Sequence, residues 1–571
     1  MLYMSADAHT SAAWLAWYGS MPTHIEYPDK TLWDMVCDAT SQWPNNTAYD
    51  FMNRRTAFHA LPARIEQVAR GLTALGVSAG DRVMICLPNC PQAVDTFYAC
   101  NRIGALAAMI HPLSALREIE DYLCSSRSRV ILTLDQFWEK VRRAADAVDP
   151  TLTVIVASIA DELPTLTGVA YRLSRLRKDT RPQRCLRWHD FLSYGAAETL
   201  PPCPLRADDG AVILYSGGTT GSSKGILLSS RNFNALALQT QAASGCSPIA
   251  GLTMLSVMPV FHGFGLGIGI HTPLVCGATC ILVPQFSIDS YAKLLIKKKP
   301  NFIPGVPTLF EALLRAERLR DADLSFLRGV FCGGDTLTVE LKRKVDAFLS
   351  AHGSPVQIRE GYGTTECVTA SCLTPVSYHR EGSIGIPFPD TFYAITAPDG
   401  TEHLPPETEG EICLRGPSVM LGYLDEPEET AQVLRRHADG NLWLHTGDLG
   451  KMDADGFVYF RQRIKRMIIT SGYNVYPSQI ENILDAHEKV LLSCVIGVKD
   501  DYRMQRVKAY VVPKPGVTAD ETLRQALLDW CQERIAKYAM PREIEFREEL
   551  PKTLVGKVAY RVLEDEANGK S

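Results

Sequence analysis

One segment, Tyr215 to Gly225, limits what this chain can be more tightly than any other. It reads Tyr-Ser-Gly-Gly-Thr-Thr-Gly-Ser-Ser-Lys-Gly. A loop so rich in Gly, Ser and Thr can turn successive backbone N–H groups onto a polyanion, since Gly tolerates the positive φ that this requires. Ser216, Thr219, Thr220, Ser222 and Ser223 add hydroxyl donors, and Lys224 adds a point charge. Ala211-Val212-Ile213-Leu214 before the loop suits a buried strand, and Gly225-Ile226-Leu227-Leu228 after it suits the return strand of a hairpin. The P-loop of ATPases needs Gly-Lys-Ser or Gly-Lys-Thr opening a helix, whereas here Ser223 precedes the lysine and Gly225 follows it. A flexible Gly/Ser linker would not carry a lysine between two apolar strands. The segment therefore predicts a phosphate-binding loop made of Ser216, Gly217, Gly218, Thr219, Thr220, Gly221 and Lys224.

At 571 residues the chain is too long for one ordinary core, so two or more domains are expected. Short buried strands alternate with helical spacing. Asp81–Asn89 reads as a strand ending in a turn, and Pro91–Gly104 spaces Val94, Phe97, Tyr98 and Ile103 as a helix does. Val130–Thr133 and Val154–Ala157 are further strands, so the pattern predicts an α/β fold with mainly parallel sheets. A net charge of −5 argues against general nucleic-acid binding. The first twenty residues lack a secretory signal's basic and apolar regions, and no apolar run reaches the ~18 residues of a spanning helix. The sixteen cysteines are scattered without zinc-ligand spacing, which fits buried reduced thiols in a cytoplasmic protein. Residues 163–188 carry Arg172, Arg175, Arg177, Lys178, Arg181, Arg184 and Arg187 among Tyr171, Leu173 and Leu176. A solvated surface segment is the plainer reading of that stretch; a weak peripheral membrane contact is the sharper one.

Other landmarks follow in order. Val257-Met258-Pro259-Val260-Phe261-His262 ends an apolar strand and enters a run with Gly at 263, 265, 267 and 269, which is expected to leave room for a ligand beside the backbone. Phe331-Cys332-Gly333-Gly334-Asp335 and Arg359-Glu360-Gly361-Tyr362-Gly363-Thr364-Thr365-Glu366 each follow a strand, where a sheet's C-terminal edge accepts a flat nucleotide. A single carboxylate such as Glu366 suffices for a hard divalent cation. His445-Thr446-Gly447-Asp448 places another carboxylate after a strand, and carboxylates of this kind accept from ribose hydroxyls. Arg461–Ile469, Gly472–Pro477 and Leu550–Val558 complete the series.

Six of these motifs, in register from about residue 45 to residue 562, resemble those of the acyl-adenylate-forming enzymes: acyl-CoA synthetases, aryl-CoA ligases, luciferases and peptide-synthetase adenylation domains. The resemblance implies a large N-terminal domain of layered sheets plus a small β-barrel, residues 1–462, and a small mobile α+β lid, residues 463–571, hinged near Lys465. It implies adenine between Gly333-Gly334 and Tyr362, with Gly363 and Thr364 in the same nucleotide motif. Thr365 falls on the α-phosphate, Glu366 on Mg²⁺, and Asp448 with Arg463 on the ribose. His262 borders the carboxylate pocket, the glycines after it open into an acyl tunnel, and Lys557 serves adenylation. Gly472 lets a backbone approach the thiol acceptor. Amino-acid-activating relatives carry Asp where this chain has His262, and a buried ammonium without its counterion costs several kcal/mol, so an amino-acid substrate is disfavoured. Gln462 departs from the usual Gly before the arginine. The implied activity is an ATP- and Mg²⁺-dependent acid–CoA ligase acting on a medium- or long-chain fatty acid, or alternatively on an aryl or alicyclic acid. A stand-alone adenylation enzyme loading a carrier protein is a second class, and a nucleotide-binding protein without ligase activity, or a phosphoryl-transferring ATPase, a third.

Overall fold

The structure is a computed structural model; it describes residues 12–176, 184–203, 205–216, 224–470, 473–500, 504–553 and 556–569. Alternating strands and helices build two large sheets. In the eight-stranded sheet, parallel strands Leu106–Met109, Arg82–Cys86, Val130–Leu134 and Thr153–Ala157 lie side by side, and Val130–Leu134 is buried along its whole length. Such strands read as continuous apolar runs because helices cover both faces. The expected hairpin is present: Gly210–Ser216 pairs antiparallel with Lys224–Ser229, with Ser216 opposite Lys224. The nine-stranded sheet has Phe302–Gly305, Gly329–Cys332 and Ile358–Tyr362 as adjacent parallel strands.

Helix Pro91–Arg102 is buried at every position except its last and joins the two sheets. It packs on Arg82–Cys86 and Leu106–Met109, while its Tyr98 hydroxyl lies 3.0 Å from Nδ1 of His271, in the crossover between strands Thr253–Ser256 and Thr279–Leu282 of the second sheet. Asn89 makes the same junction in polar form. Its amide donates to the carbonyls of Ser256 and Met258 at 2.8 Å and accepts from Val260 N–H at 2.8 Å. Three bonds from one buried side chain fix the turn that leads into His262.

Beyond these sheets, Phe392–Thr396, Gly410–Arg415, Leu442–Met452, Leu434–Arg436 and Val458–Arg463 form a small antiparallel sheet, with bulges between Glu411 and Cys413 and between Leu449 and Gly450. A separate C-terminal domain follows. Its strands Met504–Pro513 and Val490–Asp500 and helices Pro477–Asp485 and Glu521–Gln532 close around Ile468, Ile480, Leu484, Val507, Val511, Leu523 and Leu527. This core is distinct from the large one.

All sixteen cysteines are free, and burial pushes the Cys86 thiol up to about 12, which makes it a poor nucleophile. Among the described residues no helix is long and apolar enough to cross a membrane. Of the basic stretch, Arg177, Lys178 and Arg181 lie outside the described residues, as do the side chains of Arg172 and Arg175.

Candidate active site

The phosphate-loop prediction is framed by structure at both ends; its residues Gly217, Gly218, Thr219, Thr220 and Gly221 lie outside the described residues, as does Gly472. Lys224 starts the return strand. Its ammonium pairs with Glu429 and sits 4.8 Å from the Tyr423 ring centroid. The Tyr423 hydroxyl donates to Glu366 Oε1 at 3.0 Å, so one tyrosine links the loop lysine to Glu366. Strand Gly422–Tyr423 reaches this place by pairing with Lys224–Ser229. Nothing in the sequence around Tyr423 or Glu429 signals this role, because it depends on a pairing of distant segments.

His262 accepts from Phe264 N–H through Nδ1 at 3.1 Å, which leaves the proton on Nε2. Burial, helped by the charge of Lys557, holds its pKa down to about 3. A neutral imidazole with a free N–H can hydrogen-bond a carboxylate without contributing a charge. His111, at the end of the neighbouring sheet's strand Leu106–Met109, packs edge-on against Phe261 at 4.4 Å and is also held neutral by burial, at about 4.

The glycines after His262 do not do what the sequence suggested. A Cβ on Gly263 would stand 1.7 Å from the Val368 carbonyl oxygen, and one on Gly265 2.0 Å from that of Pro259. On Gly267 it would stand 2.7 Å from Leu236 in helix Ser230–Ala243. On Gly269 it would meet Phe264 O and Ser256 at ordinary distances. Gly263, Gly265 and Gly267 thus admit backbone and helix rather than ligand, and at Gly269 the neighbours are again protein atoms. The apolar pocket is lined instead by the intervening Phe264 and Ile268, with Thr240, Phe331, Leu373 and Phe388. Gly267→Leu is therefore expected to destabilise the fold by about 1–3 kcal/mol through overpacking, with acyl preference unchanged. Chemical denaturation and a chain-length profile of the folded fraction check both halves.

Gly333, Gly334, Tyr362, Asp448, Arg463 and Lys557 converge. The Tyr362 hydroxyl donates to Asp448 Oδ2 at 2.6 Å, and Arg463 Nε lies 2.9 Å from Asp448 Oδ1. Burial raises the Asp448 carboxyl above its usual range, opposed mainly by Arg463. Phe460 lies against the Tyr362 ring at 5.9 Å. Glu360, unremarked in the sequence, is buried beneath them, accepts from Leu337 N–H at 3.2 Å and is pushed up to about 8 by desolvation. It ties the turn after Gly333-Gly334 to the strand of Tyr362. Gly363 approaches the Thr369 backbone, Thr364 is buried, and Thr365 opens the short turn Thr365–Cys367 that carries Glu366.

Lys557 reaches this cluster from the C-terminal domain. Its Cε and Nζ lie 3.4 and 3.8 Å from where a Gly334 Cβ would stand. Thr553 N–H donates to Lys557 O at 2.7 Å and Lys557 N–H to Thr553 Oγ1 at 3.1 Å, closing a tight loop in which Gly556 has φ +84°. Thr308 Oγ1 donates to Gly556 O at 2.9 Å and docks that loop on the large domain. Burial lowers the Lys557 pKa, while Asp335 and Asp448 oppose the shift. Lys465 sits in the turn Ile464–Arg466 that follows Arg463. Gln462 is 1% exposed and, among the described residues, neither its amide nitrogen nor its oxygen has a hydrogen-bond partner. That is the physical content of its departure from glycine.

A smaller domain that sets a lysine against the glycine turn and ribose-type carboxylate of a larger one has the architecture of an acid-activating, adenylate-forming enzyme. Solved structures share the fold: ATP-bound MatB from Rhodopseudomonas palustris, at TM-score 0.80 and 26% identity, covers 95% of this chain and 100% of that one. An anthranilate CoA ligase in complex with anthranoyl-AMP has TM-score 0.80 and 25% identity, covering 96% and 99%. The AMP-binding enzyme model matches residues 37–424 and the AMP-binding enzyme C-terminal domain model residues 479–557, and the chain belongs to this family, in its acyl-CoA synthetase branch. A long-chain-fatty-acid–CoA ligase from Bacillus subtilis is 35% identical over 97% of this chain and 98% of its own length. A feruloyl-CoA synthase from an Amycolatopsis species is 32% identical over 90% and 94%.

Proposed function

We propose that this AMP-forming acid–CoA ligase activates a medium- or long-chain fatty acid. The observation that carries the reading is the apolar pocket that Gly333 and Gly334 help to line, Gly334 being the residue against which Lys557 stands; its walls are Phe264, Ile268, Phe331, Leu373 and Phe388, with no charged side chain. His262 offers an uncharged N–H donor at the carboxylate end, so an α-ammonium would find no counterion there. The likeness to a fatty-acid ligase and a feruloyl ligase at similar identity keeps an aryl or alicyclic acid as the second reading.

In the first step an acid oxygen attacks the α-phosphorus of ATP, and the bond to the pyrophosphate oxygen breaks. Ser216–Gly221 and Lys224 cradle the phosphates, Thr365 meets the α-phosphate, and Asp448 with Arg463 holds the ribose. Gly333-Gly334, Tyr362 and the Gly363-Thr364 turn hold adenine. Lys557 bridges the acid carboxylate and the α-phosphate as negative charge builds. The hard oxygen donor of Glu366, already oriented by Tyr423, fits a Mg²⁺ ion, which would neutralise phosphate charge when bound. In the second step the small domain turns about Lys465, Lys557 leaves, and the Gly472 face guides CoA. The thiolate attacks the acyl carbon and AMP departs.

The test is a panel of fatty, aryl and amino acids read by pyrophosphate release, with and without CoA. Fatty acids of eight or more carbons are expected to give the highest kcat/KM, roughly tenfold above benzoate or cinnamate types. Preference for an aryl acid would install the second reading. CoA-independent turnover to a carrier protein, or exchange with a free amino acid, would sink both.

A further inference from the structure

Behind Asp448 lies a buried chain of polar side chains that the adenylation chemistry does not use. Glu411 on strand Gly410–Arg415 is 5% exposed and reaches the neighbouring strand Leu442–Met452 with both oxygens. Gly447 N–H donates to its Oε1 at 2.9 Å, and His445 Nδ1 lies 2.9 Å from its Oε2. The same carboxylate thus grips the chain on both sides of Thr446, just where Gly447 turns with φ +70° and strand register shifts at the bulge. The next residue is Asp448. From His445 the contacts run outward: His437 Nε2 meets His445 Nε2 at 3.0 Å, and His403 Nε2 meets His437 Nδ1 at 3.0 Å. His437 stacks on Trp443 at 5.3 Å, and Trp443 Nε1 donates to Asp439.

These contacts have one consistent direction. With Glu411 accepting at both oxygens, His445 donates from Nδ1 and accepts at Nε2. His437 then donates from Nε2 and accepts at Nδ1, and exposed His403 donates inward. Burial lowers the His437 pKa to about 4, in keeping with its central place in this chain. Cys413, His437 and His445 each offer a ligand atom within 4.8 Å of one another, but the ring nitrogens of His445 are already engaged by Glu411 and His437. His437 meets His445 at Nε2, whereas Cys413 meets it at Nδ1, 3.5 Å away on the other ring edge, where Glu411 is already bound.

We infer that Glu411 is a positioning residue for Asp448, and that His445, His437 and His403 form the hydrogen-bond chain that holds Glu411 in place. Without it the 445–448 turn keeps the bond from Thr446 Oγ1 to Ile412 O at 2.7 Å but loses both bonds to Glu411, and the Asp448 carboxylate shifts away from the position where it meets Tyr362 and Arg463 together. The inference rests on the reading of Asp448 as the ribose ligand.

The experiment compares ATP with 2′,3′-dideoxy-ATP in pyrophosphate release by wild type, Glu411→Ala, Glu411→Asp, Glu411→Gln and Asp448→Ala, with unfolding midpoints measured in parallel. Glu411→Ala is expected to raise KM for ATP about tenfold, the scale of one hydrogen bond to a charged group, to lose most preference for ATP over the analogue, and to leave KM for acid and CoA unchanged. Glu411→Asp keeps the charge but cannot span both partners, so a folded Asp variant loses preference partially. Glu411→Gln restores it, because its carbonyl accepts from Gly447 while its NH₂ donates to His445 and the chain runs in reverse. If folded Ala or Asp variants keep the wild-type preference, or all three KM values rise together, Glu411 has only a structural role and the inference fails. Loss of preference in Asp448→Ala with unaltered Glu411 variants overturns this inference alone. Full preference in Asp448→Ala overturns the ribose reading and takes this inference with it.

Discussion

Lys557→Ala is expected to slow acyl-adenylate formation by about 10²–10³-fold, the cost of losing one preorganised charge at a developing oxyanion. Transfer of supplied acyl-AMP to CoA is expected to stay near wild type. The reason lies in where the lysine comes from. Its side chain is held against Gly334 by a loop of the small domain that touches the large one through Thr308 and Gly556. Burial makes its ammonium expensive to keep charged, and Asp335 and Asp448 partly compensate. Bound ATP and acid supply further negative charge at the same place, so the lysine is best stabilised during the first step. Gly472→Leu, in a different sequence motif, is expected to give the opposite result. Single-turnover assays of each half-reaction decide the matter: loss of the same step in both variants would end the idea that one domain serves the two steps in turn.

Gly263→Ala is expected to reduce turnover by at least about 10²-fold, as misplacement of catalytic groups by ~1 Å can do. One methyl group would stand 1.7 Å from the Val368 carbonyl oxygen, so either the His262 turn or the 364–369 turn must withdraw. Neither has slack. The His262 side is pinned by Asn89 through Val260 and Met258. On the other side Val368 already holds φ +64°, a left-handed conformation that costs a β-branched residue about 1–3 kcal/mol. Met420 N–H donates to Glu366 O at 2.7 Å and holds that turn from behind. The substitution thus separates His262 from Thr365 and Glu366 without touching any reacting group. A kcat/KM within threefold of wild type in a folded Gly263→Ala protein would show that the two turns are not mutually constrained.

Much of the site could be read along the chain because its chemistry is carried by short contiguous motifs. Lys224 after a Gly/Ser/Thr run, Tyr362 and Glu366 in one octapeptide, and Asp448 after Thr-Gly each state a local backbone requirement together with a functional group. The parallel sheets were legible for a similar reason, since strands covered on both faces leave uninterrupted apolar runs such as Val130–Leu134. The alternation of glycines after His262 was legible as a need for space, but not as to what fills that space. A missing Cβ is the same signal whether a ligand, a carbonyl or Leu236 stands opposite.

The sequence by itself determined the phosphate-loop setting, the order of the nucleotide motifs, a histidine rather than a carboxylate at position 262 and the division into a large and a small α/β body. Only the tertiary structure decided that Tyr423 joins Lys224 to Glu366, that Glu360 and Glu411 support the nucleotide side from beneath, and that Lys557 stands against Gly334. Each of these joins residues on different elements, from 23 positions apart for Glu360 and Leu337 to 223 for Gly334 and Lys557. Local propensity specifies the backbone of a segment and the face it buries; which distant side chain meets that face is fixed by strand order and packing, and a single chain read in order carries no record of either.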